Sequence, residues 1–338
     1  MSDSLRDFLA QLEASGNLIH FGEELDIKHE VAAAMKYIGQ NIGKAVIFDR
    51  VKGYNVPIAA NLFGKQKFLA RAFGVNEEAL GDTYLTRAKN QIPPRLVAKA
   101  PVQEVIEKEV NIRKVIPVLI LHEKDAGAYM STAVTIAKDP ETGIRGMGVH
   151  RIQVKDQDTI GIFLATPPLS DFLAKAERLG KPLDIAVALG VSPLVFLGAI
   201  FFAPKGIDKF EIAGGFAQTP IELVKCLSVD VEVPAEAEFV LEGQVIPNQR
   251  EKEGPYGEST GYYFAYDNPV AKIRKITHRA QPIYHALASF SSEEENLVGI
   301  MTRPYLLDTL RREVAAVEIK DLNLFAMGGI CVVKIKKT

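Results

Sequence analysis

The chain has 338 residues, enough for two domains and part of a third. Apolar residues make up 47% of it, so a sizeable core is expected, and 40 basic against 42 acidic side chains leave a formal charge of −2. That near-balance excludes the basic footprint of a nucleic-acid binder. The two cysteines, Cys226 and Cys331, have no metal-type spacing and read as reduced, buried thiols of a cytoplasmic protein. The polar, acidic start MSDSLRDFLA is not that of a signal peptide.

Residues 4–15 read as an amphipathic helix. Ser4 is its N-cap, with Asp7 three residues on, Leu5, Phe8, Leu9 and Leu12 share one face, and Gly16 stops it. A second helix is expected over His29–Gln40. Short β runs follow in AVIFDRV and VPIAANLF, separated by a Lys-Gly-Tyr-Asn turn, and then a helix from Lys65 to Phe73. The alternation predicts a small α/β domain over residues 1–112.

From about residue 115 the texture becomes β-rich. VIPVLIL, STAVTIAKD, GVHRIQVKD, TIGIFLA, DVEVPA, EFVLEGQVI and PVAKIRKITHR are short runs between turns, which favours a barrel or sandwich over a parallel sheet. Helices are expected over Pro168–Arg178 and Pro220–Cys226. Between Ile185 and Ala203 lie nineteen residues without a charge, close to membrane-spanning length. Gly190, Ser192 and Pro193 interrupt that run, so a buried strand (IAVALG) followed by a short buried helix (PLVFLGAIFFA) fits better. This central region is taken as residues 113–296. The remainder, 297–338, reads as a helix (Arg303–Val314) and a strand (GGICVVKIK), the start of a short or incomplete C-terminal α/β domain.

No P-loop, HExxH or GxSxG is present. The glycines from Gly143 to Gly148 lack dinucleotide-fingerprint spacing and read as a hairpin loop. The six histidines are scattered. Arg151 opens the strand Arg-Ile-Gln-Val-Lys, and if it faces inward it needs a carboxylate, because an unpaired buried charge is very costly. An exposed strand position would satisfy it equally well. Glu253 and Glu258 bracket Glu-Gly-Pro-Tyr-Gly-Glu, whose Gly254, Pro255 and Gly257 are turn formers. Two carboxyl groups at fixed separation are raw material for acid–base catalysis, although from spacing alone a solvated hairpin turn is the plainer reading. A glycosidase-like pair is a further reading, and the chain has no tryptophan for sugar stacking.

In combination these segments resemble the UbiD family of decarboxylases that use prenylated FMN. LRDFLAQLEASGNLIHFGEELD and KAVIFDRVKGYNVPIAANLFG are similar to the family's N-terminal part, GVHRIQV to the strand bearing its arginine, FEIAGGFAQTPIELVKC to the segment with a cofactor-side glutamate, and VPAEAEFVLEGQV with EGPYGESTGYY to the segment with its two carboxylates. The resemblance implies an α+β protein with an N-terminal α/β domain, a central split β-barrel like that of flavin reductases, and a C-terminal domain. It implies reversible, non-oxidative decarboxylation of an aromatic or α,β-unsaturated acid, with Arg151, Glu253 and Glu258 as catalytic residues. Arg151 would grip the substrate carboxylate, Glu253 would hold Arg151, and Glu258 would deliver the proton that replaces CO2.

The resemblance places the cofactor along Gly146, Met147, Gly148, Val149, His150 and Arg151, with Leu169, Pro204 and Glu211, and a Mn2+ or Mg2+ ion on Glu211, with K+ as a further candidate. A flavin prenyltransferase is the implied cofactor supplier, and a homo- or hetero-oligomer the implied assembly. The sequence departs from the pattern where metal ligands are expected: Gly146 stands at an asparagine position, Thr166-Pro-Pro-Leu169 at a histidine position, and Phe201 and Phe202 at a serine-rich stretch. Waters and carbonyls completing a weaker site, a basic residue such as Lys205 or Arg145 in place of the cation, or a different cofactor would each answer that departure. The same departure motivates an alternative, a non-catalytic or accessory subunit of a multi-subunit (de)carboxylase.

Overall fold

A computed structural model describes residues 4–314, 317–325 and 329–336. The first helix, Leu5–Ala14, has the cap its sequence predicts: the Ser4 hydroxyl accepts from the Asp7 amide while the Asp7 carboxylate accepts from the Ser4 amide. Leu5, Phe8, Leu9 and Leu12 are buried along one stripe, and Gly16 follows with φ +66°. The second helix, Glu30–Tyr37, runs into a π-turn at Ile38–Ile42. Strands Leu18–Phe21, Ala45–Phe48 and Ile58–Ala60 form a sheet, and a late segment, Tyr284–Ala286, returns to pair in parallel with Ile58–Ala60. Helices Gln66–Phe73 and Leu80–Lys89 pack beside it, the second without a counterpart among the expected elements.

The main sheet has nine strands. Its path runs Tyr129–Met130, Ile152–Val154, Thr159–Ile162, Tyr263–His278, Phe239–Gly257, Leu183–Leu189, Val134–Lys138, Arg145–Val149, with Val105–Ile106 added beside Tyr263–His278. Most pairing is antiparallel, as expected of short runs between turns. The two ends of the path do not hydrogen-bond to each other as strands, so the sheet is open. They are nevertheless joined twice by chain. Residues 131–133 connect Met130 to Val134, and only His150 and Arg151 connect Val149 to Ile152. A link that short spans on the order of 10 Å, so the sheet must curl until its edges meet, and Arg151 stands at the meeting point.

The uncharged run resolves into the strand Leu183–Leu189 and the helix Pro193–Ile200, with Ser192 as N-cap and Gly190 turning between them at φ +66°. Among the described residues no helix is long and apolar enough to cross a membrane. A third sheet joins Glu232–Pro234, Glu222–Lys225 and Arg95–Leu96. The long helix Ser292–Glu313 precedes the hairpin Ile319–Phe325 and Ile330–Ile335. It begins before the expected Arg303, and Gly328 of the expected last strand lies outside the described residues. One large apolar cluster surrounds helices Pro193–Ile200 and Lys209–Ala217 and reaches the N-terminal helices; a second fills the main sheet.

Several expectations are corrected. Pro220–Cys226 is no helix but contains the strand Glu222–Lys225, because Arg95 and Val97 donate to the Ile221 and Leu223 carbonyls and Glu232–Pro234 pairs on the other side. VIPVLIL begins where a helical turn, Ile112–Val115, ends and continues as an extended segment with two isolated bridges, Leu119 to Tyr129 and Ile120 to Lys28, rather than a strand. Gly146 and Gly148 belong to the strand Arg145–Val149, and only Gly143 turns, at φ +74°.

Glu-Gly-Pro-Tyr-Gly is likewise not the hairpin turn. It ends the nineteen-residue strand Phe239–Gly257, where the pairing slips between Glu253 and Tyr256 to leave a bulge, and the chain reverses only after Glu258. The bulge depends on Gly254, whose φ is +102° and where a Cβ would lie 2.5 Å from the Phe264 carbonyl oxygen. Gly254→Ala is therefore expected to cost upward of about 2 kcal/mol, measurable as a lowered urea midpoint at unchanged slope. An unchanged midpoint would show that the bulge tolerates a side chain.

Candidate active site

Arg151 comes from the link between the sheet's edges, Glu253 from the bulge, and Glu258 from the first residue of the following turn. The three side chains converge. Arg151 Nε and Nη2 donate to Glu253 Oε1 and Oε2 at 3.2 and 2.8 Å, a two-pronged grip, while Nη1 donates to Glu258. Asn268, opposite on the neighbouring strand, donates through Nδ2 to Glu253 Oε2 at 2.8 Å. The Glu253 carboxylate is thus buried and fully engaged, whereas 27% of the Glu258 side chain remains exposed.

The Glu258 turn closes on itself through Glu258 N to the Tyr262 carbonyl and Gly261 N to the Glu258 carbonyl, both 2.9 Å. Its stem is anchored by Asp125 Oδ1, which accepts from Gly257 N at 2.9 Å, and by Ser289, which donates to the Gly257 carbonyl at 2.6 Å. Ser259 donates to Glu294, whose carboxyl is raised above the usual range chiefly by burial.

Aromatic faces enclose the guanidinium. The rings of Phe163, Tyr256 and Tyr266 lie 4.3, 5.1 and 5.6 Å from its central carbon. Burial first, and then the Glu253 charge, push the nearby Tyr129 phenol well above its ordinary range. Of the neighbouring aromatics, Tyr256 belongs to this enclosure, Phe201 packs on Tyr84 and Phe216 in the core, and Tyr262 and Phe202 are exposed. Phe163, Tyr266 and Asn268 went unnoticed. Nothing local marks them; only the cross-strand register around Glu253, which pairs with Tyr266, brings them in.

The segment expected along a cofactor is placed as follows. Gly146, Met147, Gly148 and Val149 form one strand, with Met147 buried in the core, as is Leu169 at the start of helix Leu169–Arg178; Pro204 is exposed. His150 is buried against Gly148, and its Nδ1 has no partner. Burial, with a smaller effect from the Lys209 charge, lowers its pKa to about 4.

A divalent metal does not fit this donor set. Among the described residues no three His, Cys, Asp or Glu side chains converge. Glu211 lies in the first turn of helix Lys209–Ala217, on the face shared with Gly214 and Gly215, which press on the backbone of Arg87, Asn90 and Ile92. The asparagine position is filled: a Cβ on Gly146 would stand 2.6 Å from Phe172 and 2.7 Å from Pro168. The basic residues expected as substitutes are taken, Arg145 by Asp208 and Glu232, Lys205 by Asp171.

Known proteins bear on this arrangement. The model of the 3-octaprenyl-4-hydroxybenzoate carboxy-lyase Rift-related domain matches residues 95–291, and that of the corresponding N-terminal domain matches residues 9–88. The chain belongs to this UbiD family of carboxy-lyases. An uncharacterized protein of Archaeoglobus fulgidus is 33% identical over 362 residues, covering 99% of this chain and 74% of the relative. A phenolic acid decarboxylase of Sedimentibacter hydroxybenzoicus is 37% identical over 302 residues, covering 84% of this chain and 63% of the relative. An evolved dimeric form of the UbiD-class enzyme HmfF from Pelotomaculum thermopropionicum, solved with prFMN, superposes with a TM-score of 0.94 at 40% identity, over 100% of this chain and 80% of that one.

The depressed His150 value has a thermodynamic consequence. The folded pKa, about 4, lies below the ordinary histidine value of 6.5, so the unfolded chain binds the extra proton between them. Stability from keeping His150 neutral is complete above about pH 6.5 and lost as pH falls towards 4, to a limit of about 3 kcal/mol. Urea unfolding at pH 7 and pH 4.5 is expected to show a larger acid loss in the parent than in His150→Gln. Equal losses would assign the acid sensitivity to other groups.

Proposed function

We propose that this protein is a reversible, non-oxidative decarboxylase of an aromatic or α,β-unsaturated carboxylic acid, working with prenylated FMN. The observation that carries the reading is the asymmetry of the two acids around Arg151. Glu253 is buried, doubly bonded to the guanidinium and held by Asn268, so it fixes and neutralises Arg151. Glu258 occupies the remaining guanidinium edge from an exposed turn, so it is the group that a substrate carboxylate can displace.

In this reading Arg151 Nη1 takes one oxygen of the substrate carboxylate and orients the bond to be broken. Phe163, Tyr256 and Tyr266 present ring faces to a planar substrate and keep water from the guanidinium. The prenylated flavin, when bound, supplies the sink for the electron pair left by departing CO2. Glu258, moved off Arg151 by the substrate carboxylate, would take a proton from solvent and give it to the carbon that lost CO2, and in the carboxylation direction would take it back. The strand Gly146–Val149 with His150, Leu169 and Pro204 is where the cofactor would lie, next to the unpartnered His150 Nδ1.

The curled open sheet supports the split-barrel description of residues 113–296, flanked by an N-terminal unit over 1–112 and a C-terminal one over 297–338. A flavin prenyltransferase as supplier, an oligomeric assembly and a cytoplasmic setting belong to the same reading; the two cysteines are free, but Cys226 is only half-buried and Cys331 exposed, not the buried thiols expected. The accessory-subunit reading draws on the misfit of the metal donors; the assembled Arg151, Glu253 and Glu258 favour catalysis.

The test is co-expression with a flavin prenyltransferase, followed by assay of CO2 release from a panel of aromatic acids. Glu258→Gln is expected to lower turnover by on the order of 10²-fold or more with cofactor content, read from absorbance and mass spectrometry, unchanged. A colourless, inactive parent protein, or full activity in Glu258→Gln, would refute the proposal.

A further inference from the structure

The metal misfit leaves a question of charge, because a flavin nucleotide carries a phosphate dianion. We infer that Lys209 and His150 form a metal-free seat for that phosphate, an inference that rests on the flavin reading above. Both residues are buried. Lys209 Nζ donates to the Ala199 carbonyl at 2.7 Å, and among the described residues it has no ion pair. The adjacent acid, Asp208, is taken by Arg145 at 2.7 Å and caps the helix through Phe210 N. Lys209 is also the one charged side chain that acts on His150, whose Nδ1 is buried and unpartnered.

A lysine at the carboxyl end of a helix ordinarily caps carbonyls, and the bond to Ala199 is that use. It accounts for one of three ammonium donors and leaves the imidazole nitrogen unexplained. A buried ammonium whose charge reaches a buried imidazole, with no acid bonded to either, is costly as it stands. An anion set between the two offsets that cost with charge-assisted hydrogen bonds. Glu211 does not compete for the place: it is two residues along the helix from Lys209, about 200° round, on the face turned to Arg87–Ile92. Lys209 shares its own face with Ala213, which packs on Gly198 of the neighbouring helix. His150 is also the chain neighbour of Arg151, so one two-residue link would hold both the cofactor's anionic end and the substrate's carboxylate.

The test measures binding rather than turnover. The purified chain is freed of metal with EDTA and titrated with FMN and with riboflavin, which lacks the phosphate, following flavin fluorescence. The expected result is FMN binding in EDTA within about twofold of that in Mn2+, a loss of roughly tenfold or more in Lys209→Met, substantial retention in Lys209→Arg, and riboflavin binding equal in all three proteins. A requirement for Mn2+ or Mg2+ in the parent protein would overturn the metal-free seat and leave the flavin reading standing. Equal weakening of FMN and riboflavin in Lys209→Met would reduce Lys209 to a helix cap and overturn the inference. Failure of the parent protein to bind either flavin, with or without metal, would sink the flavin reading and the inference with it.

Discussion

The site depends on an electrostatic obligation. A guanidinium enclosed by Phe163, Tyr256 and Tyr266 needs a counter-charge at hydrogen-bonding distance, and removing one partner of such a buried pair typically costs about 3–5 kcal/mol. Glu253 meets the obligation with two bonds, and Asn268 uses up one of its remaining lone pairs. The backbone is arranged to make this possible. A register slip in the strand Phe239–Gly257 aims Glu253 inward, and the two-residue link that closes the curl of the sheet sets Arg151 opposite it.

The second theme is how negative charge is managed. This chain buries several carboxylates, and each has a designated donor: Glu238 is gripped by Arg6 and by Ile283 N, Glu242 accepts from Leu227 N and Ser228, and Glu293 accepts from Asn61 N and Phe63 N. Lys209 and His150 are the inverse case, basic groups without an acid. Volume adds to the argument, since Pro168 and Phe172 occupy the space a metal-binding side chain at position 146 would use.

Much of the α-helical framework was legible because its signals are local. Ser4 with Asp7, Ser192 before Pro193 and the apolar stripe of the first helix each state an element within a few residues. The triad was legible only through resemblance, since nothing near Arg151 says that it faces inward. The errors share a cause. Pro220–Cys226 carries turn formers and apolar residues that suit a short helix, and only partners more than a hundred residues upstream and some ten downstream make it a strand. Gly254, Pro255 and Gly257 are turn formers by propensity, yet pairing with Tyr263–Phe264 and Tyr266 holds them in a strand as a bulge. Tertiary hydrogen bonding outweighs local preference in both places. Phe163, Tyr266 and Asn268 were invisible for the same reason: their role exists only once register is set.

The two acids ride on one hairpin at different depths, and this has an evolutionary corollary. The inner acid is clamped by strand register, so almost any lengthening of the ribbon below it would unseat the arginine. The outer acid sits beyond the last paired rung, where residues can be inserted or exchanged without altering the ladder. Diversification towards bulkier or differently shaped acids would therefore concentrate at the tip beyond Glu258, residues 259–262, while the stem stays constant.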